Sequence, residues 1–204
     1  VATVGLVLRR LGLGRLVALE PRPAVIRYQR AGPGELLHID TKKLGRIDGV
    51  GHRVTGDRSG PRRHSGWEIL HVAIDDAARL AYSEILPDER KASAIAFLDH
   101  ALAWFARHGV AVQRVMTDNG SAFRSHDFRR ACAGAGIRHV RTKPYTPRTN
   151  GKAERFIQTA LREWAYARPY ASSSERTQAI DPWLHYYNHH RPHAGIHALT
   201  PAAR

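Results

Sequence analysis

A chain of 204 residues is long enough for one domain with a substantial core and too short for two complete ones. Its 43% hydrophobic and 25% charged content excludes a disordered or low-complexity polymer. No apolar run approaches the ~18 residues of a membrane span, and no charged-then-apolar leader opens the sequence. A net charge of +14 points to a polyanionic partner.

That charge is local. Residues 1–65 hold 13 Lys/Arg against 5 Asp/Glu and residues 138–170 hold 8 against 2, so these two stretches supply the whole excess. Of the 32 basic residues 27 are arginine, whose planar fork pairs bidentately with phosphate. An arginine-rich proteome would leave the same mark, so composition alone does not decide. The single cysteine, Cys132, cannot form an internal disulfide and reads as a small buried residue in a cytoplasmic protein. Met116 is the only methionine, and a chain opening at Val1 is expected to be a fragment or to start from a non-standard codon.

In chain order, residues 2–12 read as a short helix with Val4, Val7, Leu8 and Leu11 on one face and Gly12 as its stop. Glu20 to Gly34, with Pro21, Pro23 and Pro33, is a linker. Strands are predicted at 36–47, 68–75 and 80–86, the last two joined by a tight turn at Asp75-Asp76, which makes a meander. The Gly- and Arg-rich stretch 51–66 between the first two is a loop. A helix over 91–108 repeats Ile95, Leu98, Leu102 and Phe105 at three- and four-residue steps and closes at Gly109. A strand at 112–118, a helix near 125–134, a strand at 137–142 and helices near 152–167 and 174–190 complete the chain. Each later strand must return through a helical crossover, so the order gives an α/β fold: a mixed five-stranded sheet flanked by helices, matching the ribonuclease-H-like arrangement.

Three acids stand out. Alternation puts Asp40, in mid-strand, on the face of Leu36 and His38 and opposite Leu37 and Ile39; a buried charge there needs a partner, whereas a solvated sheet edge would tolerate it. Asp118 falls at the carboxyl end of the fourth strand, where open α/β sheets place ligand-binding residues, although Asn119-Gly120 is also an ordinary turn pair. Glu154 lies in the first turn of the helix opening at Asn150-Gly151-Lys152, a position the helix dipole alone would favour. Together the three can converge at the sheet's edge. Three carboxylates in that proximity call for a cation, and hard oxygen donors select Mg²⁺ or Mn²⁺.

The words around these acids are HID at 38–40, TDNGSAF at 117–123, KPYTPRTNGKAERFIQT at 143–159 and WLHYYNHHRPH at 183–193, and 35 residues separate Asp118 from Glu154. With that spacing and order, from about residue 35 to the end, the sequence resembles the integrase catalytic core shared by transposases and retroviral integrases, and most of all its bacterial insertion-sequence branch. The resemblance implies a core over 35–204 with a C-terminal helical tail, preceded at 1–34 by the remnant of a helix-turn-helix region and its linker. The Arg-rich loop at 51–66 looks like a branch-specific insertion.

The same resemblance implies a DNA transposase that uses two Mg²⁺ or Mn²⁺ ions. It would hydrolyse a phosphodiester at the element's end and pass the freed 3′-hydroxyl to target DNA. Asp40, Asp118 and Glu154 would be both catalytic and metal-binding, and Asp40 would bridge the ions. Lys42, Lys143, Arg148, Asn150, Lys152 and Arg155 are the candidate DNA contacts, each equally readable as a solvated charge or polar group, with Asn119, Gly120 and Tyr145 as supports. Partners are DNA and further copies of the chain, with no membrane, in the nucleoid-associated cytoplasm. A silent DNA-binding derivative and a structure-selective nuclease of the same fold are the alternatives.

Other clusters read more plainly. His185, His189, His190, His193 and His197 suggest zinc only superficially, since cysteine partners are absent. Trp164, Trp183, Tyr186 and Tyr187 have the spacing of packing residues. Ser172 to Ser174 is an N-cap run, and Asp75 and Asp76 are turn residues, with Asp75 the stronger outside candidate.

Overall fold

The structure is a computed structural model that describes residues 2–14, 29–49, 56, 66–142 and 150–204. Its elements are α1 (Ala2–Arg10), β1 (Leu37–Gly45), β2 (Trp67–Asp75), β3 (Ala81–Leu86), α2 (Lys91–Arg107), β4 (Arg114–Thr117), α3 (Ser121–Arg124), α4 (His126–Gly134), β5 (Arg138–Arg141), α5 (Gly151–Ala160), α6 (Ser173–Gln178) and α7 (Ile180–His189). The sheet order is β3-β2-β1-β4-β5. β1–β2 and β2–β3 are antiparallel, while β1–β4 and β4–β5 are parallel, as helical crossovers require. The expected mixed five-stranded sheet flanked by helices is therefore observed.

Strand alternation sorts the core into two layers. Leu37, Ile39 and Ala73 face α2 and α4, where Phe97, Leu98, Ala101, Phe105 and Phe128 are buried. Leu44, Leu70, Val72 and Ile74 face α5 and α7, packing on Ala153, Phe156, Ile157, Trp164, Trp183 and Tyr187. His38 and Asp40 share the parity of Leu44 and so belong to the α5 side. Each fully buried large side chain contributes about 1.5–3 kcal/mol, so these layers fix the pose of the strand edges.

Several expectations shift. The buried stripe of α2 is Ala94, Phe97, Leu98, Ala101 and Phe105, while Ile95 and Leu102 are only partly covered; small alanines let the helix sit closer to the sheet. The helix expected over 174–190 is two, α6 and α7, meeting at Ala179. Pro182 explains the break, because its ring excludes the carbonyl of Gln178 and it has no N–H to give. α5 runs on into a π turn, Leu161–Ala165, which ends it before the expected 167. Ser172 accepts a hydrogen bond from the Glu175 N–H at 3.1 Å, the N-cap foreseen. Trp164, Trp183 and Tyr187 are core as expected, but Tyr186 is exposed. Cys132 is buried, and burial pushes its thiol up to about 11. In α1 the apolar face Val4, Val7, Leu8 and Leu11 is exposed. Most of the 51–66 loop lies outside the described residues.

The C-terminal tail is tied to the sheet by Arg176, fully buried, which donates to Glu68 Oε2 at 2.5 Å and to the Gly45 carbonyl at 2.9 Å. Asn188 of α7 brackets Ala81 of β3, accepting from its N–H at 2.9 Å and donating to its carbonyl at 2.8 Å.

Candidate active site

β1 and β4 run parallel, so their carboxyl ends open at the same edge of the sheet, next to the point where strand order reverses. Leu37 pairs with Val115 and His38 with Met116. Continued by two residues, that register sets Asp40 alongside Asp118, one residue beyond the end of β4. Helix α5 packs on β1 and β2, and its first turn carries Glu154.

Asp40 feels both of the other acids. Burial first, and then the negative charges of Asp118 and Glu154, push the Asp40 carboxyl up to about 6 against hydrogen bonds from Thr41 and Asn150. The Thr41 N–H donates to Asp40 Oδ1 at 2.8 Å and Asn150 Nδ2 to Oδ2 at 3.1 Å, leaving each oxygen a free lone pair. Asp118 is more exposed and accepts from the Gly120 N–H at 2.9 Å. Among the described residues no group of three His, Cys, Asp or Glu side chains is drawn together into a ready-made metal cage. The donors nonetheless fit a hard divalent ion: all are carboxylate oxygens, and the partly buried one is short of positive charge.

Beneath Asp40 runs a buried polar chain that reading the sequence did not find. His38 Nε2 donates to Asp76 Oδ1 at 2.8 Å, and His38 Nδ1 lies 3.2 Å from Asn150 Oδ1. Lys152 donates to the same Asp76 oxygen, and the Arg30 N–H donates to Asp76 Oδ2 at 2.6 Å. Burial would raise the Asp76 carboxyl, but the hydrogen bonds from His38, Lys152 and Arg30 outweigh it and hold it well below the usual carboxylate range. Asp75, the stronger candidate on sequence, instead builds the turn, since its oxygens accept from the N–H groups of Gly34, Ala77 and Ala78. The only sequence signal for Asp76 was its place beside a strand end.

Of the remaining candidates, Asn119 donates to the Thr142 carbonyl at 2.9 Å and ties the ends of β4 and β5 together. A Cβ on Gly120 would stand 3.0 Å from Asp118 Oδ1, tighter than ordinary contact. Lys42 is exposed on the Asp40 face, whereas Lys43 points the other way and pairs with Glu89 at 2.8 Å. Lys152 is partly buried against Asp76, and Arg155 is exposed. Lys143, Tyr145 and Arg148 lie outside the described residues.

A five-stranded sheet of this order, with one acid on the central strand β1 and another just past the end of the adjacent β4, defines a ribonuclease-H-like domain. Solved structures agree on the fold. A chain in the structure of the simian T-cell lymphotropic virus intasome in complex with PP2A regulatory subunit B56 gamma superposes with a TM-score of 0.67 at 23% identity, covering 90% of this chain and 59% of that one. The HTLV-2 integrase catalytic core domain in complex with magnesium superposes at 0.57 and 18% identity, covering 83% of this chain and 94% of that one. Residues 30–147 and 135–201 match two families, each described as integrase core domain. The chain belongs to the integrase core domain family.

Relatives include an uncharacterised protein of Caenorhabditis elegans, 33% identical over 74% of this chain and 11% of its own length. A putative integrase of Spiroplasma virus SpV1-C74 is 25% identical over 63% and 39% respectively. A transposase for an insertion element of Escherichia coli is 27% identical over 42% and 29%. The chain thus spans less than half the length of each of these relatives.

Proposed function

We propose that this chain is the catalytic core of a DNA transposase, hydrolysing phosphodiesters at an element's ends and joining the freed 3′-hydroxyl to target DNA. Asp40, Asp118 and Glu154 are the carboxylates that hold two divalent ions, Mg²⁺ or Mn²⁺. Bound there, such ions supply Lewis acidity and neutralise charge on the phosphoryl group. What carries the reading is the β1–β4 register, which continued sets Asp40 alongside Asp118, with Glu154 in the first turn of the helix packed on β1, in a member of the integrase core family.

In this reading the protein supplies position rather than a nucleophile. Asp40, Asp118 and Glu154 would hold the ions through their carboxylate oxygens, with Asp40 central among the three. Asn150 and the Thr41 N–H each hold one oxygen of the Asp40 carboxylate. The chain Asp76–His38–Asn150 fixes Asn150, and with it the start of the helix from which Glu154 projects. His38, Asp76 and Asn150 are positioning residues.

Lys42, Lys143, Arg148, Lys152 and Arg155 contact the DNA backbone, supported by Asn119, Gly120 and Tyr145, whereas Asn150, expected among the contacts, is buried and acts through Asp40. Residues 1–34 are the remnant of a helix-turn-helix region with its linker, residues 35–204 the core with its helical tail, and two or more copies assemble on paired ends. Among the described residues, no helix is long and apolar enough to cross a membrane.

The test is Mg²⁺- or Mn²⁺-dependent nicking of a duplex carrying the element's end, followed by joining to a second duplex. Both activities are expected to vanish in Asp118→Asn. Nicking without joining would favour a plain nuclease, and DNA binding without either would favour a silent derivative.

A further inference from the structure

A cavity of about 490 Å³ opens beside the carboxylate edge, between α5, the turn after β2 and the C-terminal tail. Five cations line it: Arg79, Lys152, Arg155, Arg162 and Arg191. No carboxylate among the described residues joins them in the lining. Asp76 meets Lys152, Glu163 takes Arg191 bidentately at 3.0 and 3.1 Å, and Arg79 donates to the Asp76 carbonyl close to the charges of Asp75 and Asp76, so those three are locally compensated. Arg155 and Arg162 are exposed and, among the described residues, meet no carboxylate.

The surroundings hold this arrangement in place. Arg79 keeps its backbone in the left-handed region at φ 65, uncommon for a residue other than glycine, and its guanidinium lies 3.8 Å from where a Cβ on Gly195 would stand. The π turn Leu161–Ala165 carries both Arg162 of the lining and Glu163, the partner of Arg191; single π turns of this kind recur at functional sites. His193, also in the lining, is hydrogen-bonded to the Tyr187 backbone, while its Nε2 is shielded and without a partner among the described residues.

We infer that this cavity binds a backbone phosphate of the DNA substrate at a point away from the cut, with Arg155 and Arg162 as its main uncompensated charges. An arginine fork matches a phosphodiester bidentately, and the exposed Arg155 and Arg162, facing three further lining cations whose partners lie outside the cavity, leave a position that a phosphate would neutralise. Arg162 lies eight residues beyond Glu154, about 12 Å along the helix at ~1.5 Å per residue. A B-form strand covers that distance in roughly three or four nucleotides. The inference rests on the proposed DNA-processing role.

Duplex binding by the full 204-residue chain, followed by fluorescence anisotropy in EDTA at several salt concentrations, tests it. Arg162→Gln is compared with Arg90→Gln, whose side chain is 85% exposed and lies elsewhere. Arg162→Gln is expected to weaken binding several-fold or more and to lower the slope of log K against log salt by about 0.9, the share of one phosphate contact. Arg90→Gln should match the wild type, and unchanged circular dichroism confirms folding of both. If the wild type binds and the two variants are indistinguishable, the cavity site is overturned while the DNA role stands. If the wild type binds no DNA, both fall.

Discussion

His38 Nε2 lies 2.8 Å from Asp76 Oδ1, with both side chains shut off from solvent, and through Asn150 this pair reaches the carboxylate of Asp40. A buried pair so placed stiffens the support of a metal-binding acid, much as outer hydrogen bonds fix metal ligands elsewhere.

Asp76→Asn should therefore weaken Mn²⁺ binding by about 10- to 100-fold, the usual effect of losing such a support. It should also destabilise the fold. The folded pKa of Asp76 is depressed, so its contribution is present above the unfolded value near 3.8 and is lost as pH falls through the folded one. Urea denaturation at pH 7 and pH 3 checks the sign: the gap between wild type and variant should be wide at pH 7 and narrower at pH 3.

Asp40→Asn should do the opposite to stability in metal-free solution. Burial and two negative neighbours raise Asp40 to about 6, so the folded state binds its proton more tightly than the unfolded chain does. Ionised Asp40 thus costs stability above pH 6, and that cost disappears as pH falls below the unfolded value of 3.8. In EDTA at pH 7.5 the variant should be more stable, by on the order of 2 kcal/mol, with a smaller difference at pH 4.5. Adding Mn²⁺ should raise the melting temperature of the wild type and leave that of the variant unmoved.

Gly120→Ala puts a methyl 3.0 Å from Asp118 Oδ1. The carboxylate must give way. Metal affinity is expected to fall about tenfold, as for a lost supporting contact, while global stability changes by about 1 kcal/mol or less. Calorimetric Mn²⁺ titration beside thermal melting separates the two effects.

Much of this was legible in the sequence because it is periodic or local. The strand and helix order followed from runs and breakers, and the spacing of Asp40, Asp118 and Glu154 from the chain itself. What was missed arises only on folding. His38 and Asp76 are 38 residues apart, and nothing local marks them as partners. They meet because the β1–β2 register sets His38 against Ile74, two residues before Asp76. The break between α6 and α7 was present in Pro182, but a proline three residues into a helix is also tolerated in a first turn, so it did not by itself mark where one helix ends and the next begins. Asp75 ends β2 and Asp76 follows it, so the sequence barely separates them, and only tertiary packing decides which carboxylate closes the turn and which meets His38 and Lys152.

Calorimetric titration of the metal-free chain with Mn²⁺ bears most directly on the three-carboxylate site. Saturable binding of up to two ions, weakened at least tenfold by each of Asp40→Asn, Asp118→Asn and Glu154→Gln in folded protein, is the expected result. Binding that survives all three substitutions unchanged, or no binding by the folded wild type, would contradict it.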